Sequence, residues 1–234
     1  MGGFGPEPVG GLRPGRPWRW ALGGVLVASA LWAAGLFLYG FGDRKPDMHG
    51  YQLNKDPCPT LRLKSIGTAI APRQATADAG TGLLNHPVLD QIQCFIPLQP
   101  PVQSPAGAGR PEKGWSIDYS VAIAVALHKK TDPGAEFEVQ RATIDGWADP
   151  EAKLERVPNL GDKAYLLIRG DGTSELRVLE GGAVFSLALS AYTQYQPDDD
   201  GEGPSGEGPD TPDLSPYQSA LISDMRDLMS SLKQ

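Results

Sequence analysis

The chain has 234 residues, 21 Lys and Arg against 28 Asp and Glu for a formal net charge of −7, and only two cysteines. The acidic excess is local: Asp198, Asp199, Asp200, Glu202, Glu207, Asp210 and Asp213 lie between residues 196 and 213 with no Lys or Arg among them, so the rest of the chain sums to zero. A neutral body with an acidic insert has no electrostatic footprint for nucleic acid, and that partner class is excluded.

Residues 1–19 are Gly- and Pro-rich, too poor in apolar residues to fold, and form a short tail. Pro6 stands where a myristoylation signal needs Ser or Thr. Residues 20–41 are the expected transmembrane helix, because Ala21 to Phe41 contains no charge and at ~1.5 Å per residue spans about 31 Å, one hydrocarbon core. A cleaved signal peptide has a shorter apolar run with a small-x-small site behind it, whereas here Ala28-Ser29-Ala30 lies mid-run. Lipidation of a cysteine directly after the run is ruled out, since the first is Cys58. Arg13, Arg16 and Arg19 precede the run, Arg44 and Lys45 follow it, and both cysteines lie beyond it. This predicts a cytoplasmic N-terminus and an extracytoplasmic C-terminal domain at the cell membrane. Gly24, Ala28 and Gly35 are spaced so that a second helix could approach closely, although Gly and Ala are common in spanning helices anyway.

A polar linker is expected over 42–55, then one domain over 56–234. Pro59 suits the first turn of a helix beginning at Cys58, with Leu63, Ile66 and Ile70 on its apolar face and Pro72 ending it. Residues 73–87 read as loop, Gln91 to Leu98 as a short strand, and 100–114 as a Pro/Gly-rich loop. From Trp115 to Leu127, large apolar residues alternate strictly with Ser, Asp and Ala, the mark of a strand with one apolar face. The second face turns to alanine along its length, which predicts a helix or loop over its later half.

Asp132-Pro133 predicts a helix start, continuing to about Trp147 with Phe137, Ile144 and Ala148 inward. Three strands follow, Ala164–Arg169, Glu175–Glu180 and Ala183–Ala191, separated by Gly170-Asp171-Gly172 and Gly181-Gly182. Residues 196–213 cannot bury a core and read as a flexible loop. Ser215-Pro216-Tyr217-Gln218 then has capping-box spacing for a last helix, with Tyr217, Leu221, Met225, Leu228 and Leu232 on one face. The fold class is α+β: an antiparallel sheet of about five strands with helices packed on it, behind a single transmembrane helix.

Asp56-Pro57-Cys58 before a helix, Cys94 on the next strand, Leu160-Gly161-Asp162-Lys163-Ala164-Tyr165, and Glu175-Leu176-Arg177-Val178 before a Gly turn and a further apolar strand resemble a known group. They are similar to actinobacterial membrane-anchored extracytoplasmic domains of unknown function, found on lipoproteins and single-pass proteins. In outline they are also similar to the extracellular sensor domain of mycobacterial serine/threonine kinases. The resemblance spans residues 56–195 and 214–232. This chain has neither a lipobox nor a kinase domain, so anchoring and signalling roles do not carry over. The resemblance implies a sheet with helices on it, stapled by one disulfide between Cys58 and Cys94. That bridge closes a loop of about 37 residues, for which chain entropy gives ~4 kcal/mol. The alternatives are a redox pair, which normally sits in Cys-x-x-Cys, and a zinc site, which wants four closely spaced ligands.

Candidate chemistry is thin. His49, His86 and His128 are scattered. Ser230-Ser231-Leu232-Lys233 matches the Ser-x-x-Lys nucleophile pattern, but without its Lys-Thr-Gly and Ser-Asp-Asn partners. No Gly-x-Ser-x-Gly, P-loop or dinucleotide fingerprint occurs, so no catalytic residue, cofactor or metal is expected. Arg169-Gly170-Asp171 is explained by a hairpin turn, and Asp198-Asp199-Asp200-Gly201-Glu202 lacks EF-hand spacing. The expected function is a non-enzymatic binding or sensing module outside the cytoplasm, taking a small ligand or a protein partner. An accessory subunit of an envelope complex acting through its transmembrane helix is the alternative, and an envelope hydrolase carries the least weight.

Overall fold

In the computed structural model, which describes residues 18–38, 45–74, 82–99, 115–141, 143–144, 147–148, 152–195 and 209–233, the chain divides into two units, Met1–Asp43 and Arg44–Gln234. The first contains one helix, α1 (Trp18–Leu38), whose side chains are described only at residues 24, 25 and 27–35. There Val25, Val27, Leu31 and Trp32 are between 61% and 73% exposed. Among the described residues no helix is long and apolar enough to cross a membrane. Residues 39–41 of the expected span, and most of the N-terminal tail, lie outside the described residues.

The second unit is α+β. Its helix α2 (Lys64–Ala69) is followed by strands β1 (Leu84–Asn85), β2 (Leu89–Pro97) and β3 (Trp115–His128). Helix α3 (Gly134–Gln140) leads to a two-stranded ribbon of β4 (Thr143–Ile144) and β5 (Trp147–Ala148). Strands β6 (Lys153–Arg156), β7 (Lys163–Ile168), β8 (Thr173–Glu180) and β9 (Ala183–Tyr195) come next, and helix α4 (Gln218–Leu232) closes the chain after a 3₁₀ turn, Ser215–Tyr217. The main sheet has seven antiparallel strands in the order β1-β2-β3-β9-β8-β7-β6.

The two-residue alternation is realised along β3. Ile117, Tyr119, Val121, Ile123, Val125 and Leu127 are all buried, and β3 pairs with β9 from Trp115↔Tyr195 to Leu127↔Ala183. Phe185, Leu187 and Leu189 of β9 and Leu176 and Val178 of β8 continue the same apolar face. It is covered by the 3₁₀ turn and α4, where Tyr217, Leu221, Met225, Leu228 and Leu232 are buried at the expected helical spacing. Each large apolar side chain taken from water contributes ~1.5–3 kcal/mol, so this layer holds the domain together. Gly181 turns β8 into β9 with φ +56°, and a Cβ there would meet the Asp47 carbonyl oxygen at 2.0 Å. Only glycine fits that turn.

Several expectations need correction. The sheet has seven strands rather than about five: β1 is two residues long, and β6 is a fully exposed Lys-Leu-Glu-Arg edge with no apolar alternation to announce it. The first helix starts at Lys64 and not Cys58, because the Cys58 N–H donates to Asp56 Oδ1 and the Thr60 and Leu61 N–H groups both donate to the Pro57 carbonyl, closing a turn. The helix after Pro133 stops at Gln140, and Ile144 belongs to the β4–β5 ribbon, whose two intervening residues are the hairpin-favouring pair Asp145 and Gly146. Ser215 forms no capping box; its own N–H donates to Asp213 Oδ1 at 2.9 Å. On β3's second face Ala122 is exposed, while Ala124 and Ala126 in its later half are half-buried. The expected linker 42–55 is not a free connector where it is described: Tyr51 and Leu53 are buried in the core. The loop expected over 100–114, and 196–208 of the acidic segment, lie outside the described residues.

Candidate functional site

Cys58 and Cys94 form a disulfide with a Cα–Cα separation of 5.6 Å, and both residues are buried. The bridge ties the segment before α2 to the middle of β2, and Arg73 Nη1 donates to the Cys58 carbonyl at 2.8 Å from the other side. Pro57 to Lys64 is thereby fixed as a wall standing off the sheet.

Opposite that wall lies the C-terminal half of α4. Between them opens a cleft of about 470 Å³, with Ile123, Leu228 and Leu232 supplying apolar lining and Arg62, Lys64 and Asp227 exposed at its rim. A volume of this order suits a small-molecule site. The two walls are joined by Asp224, which is only 2% exposed. Its Oδ1 accepts from the Ser65 N–H and its Oδ2 from the Ile66 N–H, each at 2.9 Å, while Ser65 Oγ donates to Ser223 Oγ at 3.0 Å. A buried carboxylate is tolerated because both oxygens are satisfied by backbone donors at the start of α2. Asp224 is thus a fastener between α2 and α4, with its acceptors committed to structure.

A second polar cluster sits on the sheet's other face. Arg177 Nε donates to Glu175 Oε1 at 2.6 Å and Ser186 Oγ donates to the same oxygen at 2.6 Å, while Arg177 Nη1 reaches the Gln140 carbonyl. Beside it, Glu138 pairs with Lys163 at 2.6 Å and Arg141 at 3.0 Å. The Lys163 hydrogen bond holds the Glu138 carboxyl below its ordinary range, and Glu138 in turn raises Lys163. The Arg141 guanidinium lies 5.4 Å from the Tyr165 ring centroid. Each acid in this cluster faces a base, the arrangement of a structural ion-pair network rather than of a poised nucleophile and general base.

Gly24, Ala28 and Gly35 all lie on α1; Ala28 is exposed, and a Cβ at Gly24 or Gly35 would meet nothing within 4 Å. His49 sits beside Asp47 with Nε2 4.0 Å from Oδ2, the His128 N–H donates to the Gly182 carbonyl, and the His86 N–H donates to the Leu89 carbonyl. The lysine of the Ser-x-x-Lys pattern is engaged elsewhere: Lys233 Nζ bonds Glu180 Oε1 at 2.8 Å. Asp56, Cys58 and Cys94 bring donor atoms within 4.8 Å of one another, but the two sulfurs are bonded together and Asp56 Oδ1 already accepts from Cys58 N–H, so this set does not suit a metal ion. The cleft and Asp224 were not found from sequence. The available signal was an acid three residues after Leu221 and four before Leu228, inside the apolar stripe of the last helix.

Comparison with known proteins gave no matching family model, no similar curated protein and no similar solved structure.

Proposed function

We propose that this chain is a single-pass membrane protein whose C-terminal domain is an extracytoplasmic binding or sensing module, with the cleft between Pro57–Lys64 and α4 as its ligand site. The observation that carries the reading is the construction of that cleft. One wall is pinned by a buried disulfide, the other by a two-oxygen carboxylate fastener, and the lining mixes apolar Ile123, Leu228 and Leu232 with polar Thr60, Ser230 and Ser231. A preformed cleft of mixed apolar and polar lining, with its buried acid already committed to backbone donors, favours binding over chemistry. Its ligand is a small amphipathic molecule.

Anchoring rests on the sequence, which has no charge from Trp20 to Phe41, and on the exposed Val25, Val27, Leu31 and Trp32 of α1. The disulfide supports an oxidising, extracytoplasmic location for the domain, with the N-terminus in the cytoplasm. Likeness to actinobacterial membrane-anchored domains belongs to the same proposal. The accessory-subunit reading is kept for one observation: Gly24 and Gly35 leave open surface along α1 for a second helix.

Native mass spectrometry of the full-length chain released from its own membranes tests the binding role. A bound small molecule is expected, and it should be lost when Thr60→Trp or Ser231→Trp fills the cleft from its exposed rim. Adducts absent in the wild type, or unchanged in both variants, refute the site. A reporter fused after Gln234 should be active only outside the cytoplasm, and cytoplasmic activity overturns the topology.

A further inference from the structure

The segment that leads from α1 into the domain, residues 45–53, is strapped down on both sides. On one side the Gly182 N–H donates to the Asp47 carbonyl at 2.8 Å, Tyr51 Oη donates to Glu180 Oε2 at 2.7 Å, and the Tyr51 ring packs edge-on to Phe185 with centroids 4.9 Å apart. On the other, Tyr51 bridges to Lys233 as a strand pair and the Gln52 N–H donates to the Leu232 carbonyl at 3.1 Å. Lys233 closes the arrangement: its ammonium bonds Glu180 Oε1 at 2.8 Å and lies 4.8 Å from the Tyr51 ring centroid. One carboxylate, Glu180, therefore holds both the strap and the end of α4, each through its own oxygen.

Each wall of the cleft is attached to this strap. Leu232, whose carbonyl receives the strap's Gln52 N–H, lines the cleft from the α4 side. Pro57, four residues beyond the buried Leu53, begins the opposite wall. The strap is also the only covalent route between α1 and the domain. A shift of the α4 wall acts on the strap through the Gln52–Leu232 hydrogen bond, and a shift of the other wall acts through the four residues that lead from Leu53 to Pro57. Where a shared element joins two sites and has two discrete arrangements, the sites are coupled reciprocally.

We propose that the strap 45–53 is a transmission element, in which seating on Glu180 and closure of the Pro57–Leu232 cleft favour each other, so that cleft occupancy is reported to the segment leading into α1. This rests on the cleft being the ligand site. The geometry also names the residues that set the coupling, Tyr51, Glu180 and Lys233.

Hydrogen exchange on the full-length chain in nanodiscs tests it without a ligand. In Tyr51→Phe/Lys233→Met, which keeps the apolar bulk but removes both donors to Glu180, exchange is expected to rise at least tenfold over the strap 45–53. The same rise is expected in the cleft walls, 61–67 and 226–232, while β3, β9 and α3 stay unchanged. Val139→Ala, on the outer face of α3 where Val139 is 75% exposed, should change none of these. In the reverse direction, Ser231→Trp should slow exchange of the strap. Acceleration confined to 45–53 and 233, or a strap indifferent to Ser231→Trp, overturns the coupling. If the double variant loses protection throughout, Lys233→Met alone decides by the same criterion. These outcomes are separate from the adduct measurement: exchange can fail to couple while the cleft still holds a ligand, and the reverse.

Discussion

Replacing Cys58 and Cys94 together by alanine removes a link between residues 36 apart in sequence. For a loop of that length the chain-entropy relation gives ~4 kcal/mol, since the unfolded chain regains the freedom the bridge withheld. Both residues are buried, so the missing sulfurs also leave small voids, adding on the order of 1 kcal/mol. For a domain of about 190 residues each kcal/mol moves the melting temperature by ~2–4 °C, which puts the expected drop at roughly 10–20 °C. Thermal melts followed by circular dichroism, on wild type, reduced wild type and the double variant, measure it. Reduced wild type should melt close to the variant. The loss should also have a location: with the bridge gone, the cleft wall around Leu61 should exchange faster than the centre of β3. A drop of less than about 3 °C, or a wall as protected as before, would refute the argument that the bridge sets both the domain's stability and the standing of the cleft.

Tyr119 is 1% exposed and its hydroxyl has no hydrogen-bond partner among the described residues, so Tyr119→Phe should be neutral or stabilising by up to ~1–2 kcal/mol in chemical denaturation. Burial, helped by the neighbouring Tyr217, pushes the Tyr119 hydroxyl up to about 12. The unfolded chain therefore loses this proton near pH 10 while the native state retains it, and stability that is complete below pH 10 falls between pH 10 and 12. Tyr119→Phe should shrink that alkaline loss without abolishing it, because Tyr51 and Tyr217 are also pushed up; an unchanged pH profile counts against the assignment. Asp224→Ala strands the Ser65 and Ile66 N–H groups and should cost ~2–4 kcal/mol by urea titration, with Asp224→Asn costing less because one acceptor survives. Equal costs would mean that the carboxylate is not the fastener. Gly181→Ala forces a side chain into positive φ against the Asp47 carbonyl and should cost at least ~1–2 kcal/mol, with the strap 45–53 losing exchange protection first. A variant as stable as wild type would show that the turn can relax away from the strap.

The legible parts of the fold are those where local pattern and tertiary environment agree. The alternation from Trp115 gives β3 because every second residue meets a core, and the i, i+4 stripe from Tyr217 to Leu232 gives α4 for the same reason. Strand β6 escaped because an edge strand exposed on both faces has no period to display. The turn at Cys58 reads as a helix start because Pro at a first position suits both, and the turn is chosen by Asp56 and the Pro57 carbonyl taking the local N–H groups. Tyr51 and Leu53 sit in a stretch that reads as polar linker, where two apolar residues carry no periodic signal.

Sequence alone determined the α+β class, the two long central strands, the terminal helix and its buried face. These follow from hydrophobic period, which is a property of neighbouring residues. Tertiary structure decided everything about the site. The 36-residue disulfide link, the 158-residue reach from Asp224 to Ile66 and the 129-residue reach from Tyr51 to Glu180 join positions whose proximity no local pattern encodes. A cleft is the space left between such contacts, and it exists only once the sheet has brought the segment 57–66 against the last helix.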